Sequence, residues 1–278
     1  MKPLSIIAIV LSTTALFIAI FFHPPSANQG NSHLRDALQN GRINVGVIAA
    51  PPISNYDPSN SIADGYSIDV VRAMASKAKL ELTFTPVGWD TMTAALDTEK
   101  IDVVAGPTFL TEARARDYLF SDPLFAYAVV AVVLKGAPKP RELNDLKLPG
   151  LRIAVGRGGF DAEFVTRFMP QALPSVFPSN DATITGLEVV SKRADLALMD
   201  YQTAVKFVKE HPEAEIRFES NPISLQYAGY MFRKRDHQLR DFWNVAMRNL
   251  DLDGELRALD DRYATQRSWY ARLANRPR

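Results

Sequence analysis

Residues 65–123 read GYSIDVVRAMASKAKLELTFTPVGWDTMTAALDTEKIDVVAGPTFLTEARARDYLFSDP, and two helical and two strand patterns alternate within them. Ile68, Val71, Ala75 and Ala78 recur at helical spacing, and Leu80, Leu82 and Phe84 alternate up to Pro86. Asp90 is placed to cap a helix whose inward face carries Met92, Ala95 and Leu96, and residues 101–105 form a short apolar strand. Such alternation implies right-handed βαβ units and a mostly parallel sheet. An open sheet of this kind binds its ligands just beyond the carboxyl ends of its strands. Gly106, Pro107 and Thr108 follow the strand and are expected in a loop at that crevice, with Thr111 capping the next helix and Arg114 about one turn in. A hydroxyl, free backbone N–H groups and a guanidinium converging there suit a small carboxylate. The stretch therefore points to a receptor for small anions or zwitterions.

The same grammar restarts downstream. Residues 151–155 read as a strand that ends in Gly156-Arg157-Gly158-Gly159, followed by a helix over 161–168 and a short strand at 175–177. Asp181 is placed to cap a helix bearing Ile184, Leu187 and Val190, and residues 196–199 form another buried strand ending at Asp200. KIDVVAG in the first half answers RADLALMD in the second, so the chain reads as two α/β lobes of one architecture rather than a single continuous sheet. One β-prone run, 129–134, stands between the halves, and a second, 225–232, follows them and leads to a C-terminal helical region. Two extended strands joining two lobes make a hinge. With no obligatory interface between the lobes, an open form is expected until a ligand draws them together.

Composition narrows the function. The 278 residues are 47% hydrophobic with a formal charge of +1, which describes a globular protein and not a nucleic-acid partner. There are no cysteines, so disulfides, thiolate metal sites and cysteine catalysis are excluded. The histidines, His23, His33, His211 and His237, show no metal-ligand spacing, and no G-x-S-x-G, Walker or dinucleotide fingerprint occurs. No cofactor is expected. Lys2 precedes an uncharged, mostly apolar stretch over residues 4–22. Its length lies between a secretory signal and a spanning helix, and the absence of a convincing cleavage site favours an uncleaved anchor over a cleaved signal. Either way the chain is expected outside the cytoplasm.

The order of these fragments resembles the bacterial periplasmic amino-acid-binding proteins, the solute-binding proteins of family 3 that serve ABC importers. The resemblance rests on Gly65-Tyr66-Ser67-Ile68-Asp69, Trp89-Asp90, Gly106-Pro107-Thr108, Thr111-Glu112-Ala113-Arg114 and Phe120-Ser121-Asp122-Pro123, and extends from about residue 42 to 264. Two departures stand out: Ala113 separates Glu112 from Arg114, and Pro107 occupies a position that is often apolar. The resemblance implies a two-lobed periplasmic-binding-protein fold of type II, each lobe a mostly parallel sheet flanked by helices, with a two-strand hinge. Residues 1–30 would be the signal or anchor, 31–133 with 228–278 the first lobe, and 134–227 the second. It further implies a monomer that binds a small amino acid and presents it to an ABC transporter permease in the periplasm.

By the same resemblance Arg114 and Thr108 would hold the ligand carboxylate, Asp200 the α-amino group, and Trp89 the ligand side chain. Gly106 would belong to the binding loop, and Gly159 and Phe160 would offer backbone N–H groups at a helix start. The bland alternatives are a surface arginine, a turn threonine, a helix-capping aspartate and a core tryptophan. Receptors for basic ligands in this family often carry an acidic residue after the first strand. Here residues 47–51 carry none, which disfavours a cationic ligand side chain. A second class of function is open: a cyclohexadienyl dehydratase-like enzyme on the same scaffold, for which Glu163 or Asp161 would supply the general acid. A membrane-tethered sensory domain is a third.

Overall fold

The structure is a computed structural model and describes residues 33–178 and 183–263. The apolar N-terminal stretch and Asp181 lie outside the described residues, so the anchor, the signal and that cap are not seen.

The first part runs α1 (His33–Asn40), β1 (Arg42–Val47), β2 (Asn55–Asp57), β3 (Ile62–Asp64), α2 (Tyr66–Ala78), β4 (Glu81–Pro86), α3 (Met92–Asp97), β5 (Val103–Phe109), α4 (Glu112–Ala115), β6 (Tyr118–Phe120) and β7 (Phe125–Leu134). The second contains β8 (Arg152–Gly156), α5 (Phe160–Phe168), β9 (Leu173–Phe177), α6 (Ile184–Val190), β10 (Leu196–Asp200), α7 (Tyr201–Glu210) and β11 (Ala214–Arg217). The chain then returns through β12 (Ser224–Arg233) to α8 (His237–Leu252) and α9 (Glu255–Tyr263).

Strand β1 pairs in parallel with β4 and β5, and β8 pairs in parallel with β10 and β9, so each half carries the expected βαβ sheet. The crossover strands are antiparallel and hydrogen-bond to each other and to both halves. The strand order is β4-β1-β5-β12-β7-β10-β8-β9, with β6 on β12 and β11 on β7. The two lobes thus share one hydrogen-bonded sheet, the arrangement that the duplicated pattern had argued against. The reason is β7: its sequence FAYAVVAVVL is apolar throughout and nearly all buried, as a strand covered on both faces must be.

Register fixes the hinge. Phe125–Val129 of β7 faces Ala228–Ser224 of β12, and from Val129 onward β7 faces Asp200–Leu196 of β10. Val129 therefore lies beside both Ser224 and Asp200, which puts the end of β10 at the junction of the lobes.

Each half has its own core. Ile43, Val45 and Val71 pack with Trp243, Leu250, Leu256 and Leu259, so the last two helices complete the first lobe. On either face of the second sheet, Val130, Val132 and Phe207 form one cluster, and Ile153, Val155 and Phe164 another. Phe160 packs against the cores of both lobes.

Candidate functional site between the lobes

Strand β5 continues through Gly106, Pro107 and Thr108 to Phe109, where a loop was expected. The cause is β12, whose Ala228 and Gly229 pair with Phe109 and Thr108 and hold this backbone in the sheet. Its N–H groups are therefore not simply free for a ligand. Gly106 is needed for packing, because a Cβ there would stand 3.0 Å from the Cβ of Ile48. Thr108 is fully buried, and its hydroxyl has no hydrogen-bond partner among the described residues.

Thr111 caps α4 as expected, accepting a hydrogen bond from the Arg114 N–H at 3.2 Å. Arg114 is only 7% exposed, which excludes the surface reading. Its guanidinium reaches the second lobe: Nε pairs with Glu163 Oε1 at 2.8 Å, and Nη2 donates to the Gly158 carbonyl at 2.9 Å. Thr111 Oγ1 donates to the other oxygen, Glu163 Oε2, at 2.8 Å. Burial lowers the affinity of Arg114 for its proton, opposed by the nearby Glu163 and Asp161 charges. Arginine remains a cation under such shifts.

The lobes touch elsewhere too. Phe109 and Phe160 stack edge to face with centroids 4.8 Å apart, and Arg167 pairs with Glu112 at 2.7 Å. Gly158 has φ +71°, and a Cβ there would meet the Trp89 carbonyl oxygen at 2.6 Å. The conformation is a closed one, held by side chains across the cleft.

The helix start on the second lobe is also occupied. Gly159 donates its N–H to the Gly156 carbonyl at 3.0 Å, while Asp161 Oδ2 accepts from the Gly156 N–H at 2.6 Å. The Gly159 N–H is therefore already engaged within its own turn. Burial pushes the Asp161 carboxyl up to about 6, against the pull of backbone N–H groups at Gly156, Ala162 and Asp161 itself and of Arg114.

Asp200 ends β10 and caps α7, accepting from the N–H groups of Gln202 and Thr203 at 3.1 and 3.0 Å and from the Thr203 hydroxyl at 2.6 Å. Burial raises its pKa, while these same donors oppose the shift. On the first lobe, the helix that Asp90 was expected to cap starts after Thr91 with no side-chain cap, and Asp90 Oδ1 is buried without a partner among the described residues.

These elements enclose a cavity of about 70 Å³ at the interlobe seam. Trp89, Phe160, Gly159 and Asp200 line it, together with Asp161 and Thr185. Four of the seven expected site residues thus meet at one place. Gly106, Thr108 and Arg114 are not in its wall: the first two stay in the sheet, and the third turns toward Glu163. The second-lobe acids Asp161 and Glu163 take larger parts than the sequence suggested. The signal was available in the acidic first turn of α5 directly after Gly158-Gly159.

Comparison with known proteins identifies this architecture. Residues 43–266 match the bacterial extracellular solute-binding proteins, family 3. The chain belongs to that family. It is 25% identical over 231 residues to the L-cystine-binding protein TcyJ of Escherichia coli strain K12, covering 83% of this chain and 85% of that one. It is 24% identical to the histidine-binding periplasmic protein of the same organism, covering 79% and 87%. Among solved structures, the ancestral amino acid-binding protein AncCDT-1, a precursor of cyclohexadienyl dehydratase, superposes with TM-score 0.72 at 27% identity, covering 84% of this chain and 99% of that one. An ancestral arginine-binding protein bound to arginine gives TM-score 0.70 at 27% identity, covering 80% and 98%.

These likenesses establish the two-lobed α/β fold and a solute-binding protein of an extracytoplasmic family. The curated relatives named here are binding proteins, not enzymes, and the neighbour named as a dehydratase precursor is itself described as an amino acid-binding protein. Among the described residues, no helix is long and apolar enough to cross a membrane.

Proposed function

We propose that this protein is an extracytoplasmic receptor that closes over a small amino acid and delivers it to an ABC transporter, acting as a monomer. The first lobe would comprise residues 31–133 and 228–278, the second 134–227. The observation that carries the reading is the interlobe cavity, whose wall includes two aromatic residues, Trp89 and Phe160, and one acidic residue at the lobe junction, Asp200. That pairing suits a ligand with an ammonium at one end and an apolar body. Arg114, buried at the same seam, is the cation that can receive the ligand carboxylate, with the unpaired Thr108 hydroxyl as a further donor. Gly106 and Gly159 let the chain approach closely on either side. Asp161 supplies a carboxylate that residues 47–51 lack, so a ligand with a second cationic group also fits the cavity wall.

A thermal-shift screen of the proteinogenic L-amino acids, followed by calorimetry on Arg114→Ala, tests the reading. Truncating one partner of a buried charge pair costs roughly 2–5 kcal/mol, or about two to four decades of affinity. The variant should lose measurable binding of a micromolar ligand while remaining folded. Wild-type affinity in that variant, or no shift with any amino acid, would refute the assignment.

A further inference from the structure

Two groups of the first lobe that are able to hold a carboxylate, the Arg114 guanidinium and the Thr111 hydroxyl, are both engaged by one side chain from the opposite lobe. Glu163 gives Oε1 to Arg114 Nε and accepts from Thr111 Oγ1 at Oε2, each at 2.8 Å. A carboxylate is thus already received there by a guanidinium and a hydroxyl, the donor set that recognises carboxylates in general. We infer that Glu163 is an affinity-determining residue, an internal competitor that a ligand's carboxylate must displace from Arg114. The inference rests on the reading of Arg114 given above.

Three further observations support it. Arg114 is 7% exposed, whereas the Glu163 side chain is 31% exposed, so the displaced carboxylate has a route to water while the guanidinium does not. The cavity of about 70 Å³ is far below the roughly 300–1,000 Å³ of ordinary small-molecule pockets, so a ligand has to part the lobes and break the Glu163 contact on entry. Among the described residues, the other interlobe ion pair, Arg167–Glu112, is exposed on both sides at 60% and 78%, which leaves the buried Arg114 contact as the stronger tie.

Competition has a definite sign. The Glu163 contact stabilises only the state in which Arg114 is not holding ligand, so it lowers apparent affinity by the fraction of molecules it withholds. If Glu163 instead helped to hold a bound ligand, its removal would weaken binding. A charge-assisted hydrogen bond is worth about 1.5–3 kcal/mol, so removing the competitor should tighten binding roughly ten- to a hundredfold.

The experiment is calorimetry on the full chain with the proteinogenic L-amino acids, one at a time, for wild type, Glu163→Gln, Glu163→Ala and Arg114→Ala. The expected result is tighter binding in both Glu163 variants and none in Arg114→Ala. A gain in affinity cannot come from a damaged fold, and the near-isosteric glutamine guards against loss of structure in the alanine variant. Unchanged or weaker binding in both Glu163 variants, with binding abolished in Arg114→Ala, overturns the competitor role and leaves the receptor reading intact. Wild-type affinity in Arg114→Ala overturns the receptor reading itself, and the competitor role with it.

Discussion

Asp161 contributes a part of the folding stability that falls as pH rises. Burial penalises the charged form of its carboxyl and pushes it up to about 6 in the folded chain, against an ordinary value of 3.8. The sign follows from linkage. A carboxyl that holds its proton more tightly when folded contributes full stability below about 3.8, and that contribution is lost as pH climbs through about 6. Moving from 3.8 to about 6 corresponds to on the order of 3 kcal/mol of stability. Other carboxyls contribute with the opposite sign: Glu188 is held below its ordinary value by its bond to Arg193, and Asp195, against the upward push of burial, by Arg152, so both contribute stability that is lost as pH falls. The informative quantity is therefore a difference between variants. Asp161→Asn keeps an oxygen to accept from the Gly156 N–H, now held at 2.6 Å, but cannot ionise. Urea unfolding of both proteins between pH 4 and 7.5 should show the variant gaining on wild type by about 2–3 kcal/mol across the window, most of it before pH 7. Parallel stability curves would refute the argument and place the Asp161 carboxyl in an ordinary, solvated setting.

Asp200→Asn tests the ammonium assignment: affinity for amino acids should fall by at least about tenfold, with little change for their deaminated analogues, as read by calorimetry. Equal losses for both would assign Asp200 to its capping bonds with Gln202 and Thr203 alone. Gly158→Ala should hold the cleft open, because the new Cβ would meet the Trp89 carbonyl at 2.6 Å in a residue with φ +71°. Small-angle scattering should then give a larger radius of gyration than wild type, and an unchanged radius would show that the lobes do not meet at this point.

Much of the fold was legible because hydrophobic period is local. The alternation of Leu80, Leu82 and Phe84 and the apolar runs before Gly106 and Asp200 set the βαβ units without reference to anything distant. Thr111 and Asp200 were legible as caps for the same reason, since each acts on N–H groups within three residues. What the sequence hid depended on partners remote in the chain. Gly106–Thr108 looks like a loop until β12, more than a hundred residues later, supplies its pairing partner. Arg114 looked ready for a ligand because nothing near it in sequence is a carboxylate in position to claim it, and Glu163 arrives only when the lobes close. The Asp90 cap failed for a local reason, because Gly88 N–H bonds to Thr91 Oγ1 and the turn carries the helix start one residue on.

The course of β12 through the sheet has a consequence for how the chain assembles. This strand lies between β5 and β7, and helices α8 and α9 that follow it supply Trp243, Leu250, Leu256 and Leu259 to the same cluster as Ile43 and Val45. The second sheet, by contrast, is built from a contiguous segment once β7 has been made. During synthesis from the N-terminus, the part of the molecule made first is therefore finished last. Its central strand and its covering helices do not exist until some two hundred residues after β1, and until then β5 keeps an unpaired edge. A chain that must cross a membrane before it folds gains from such an order, since its opening hundred residues cannot lock into a compact unit ahead of the rest.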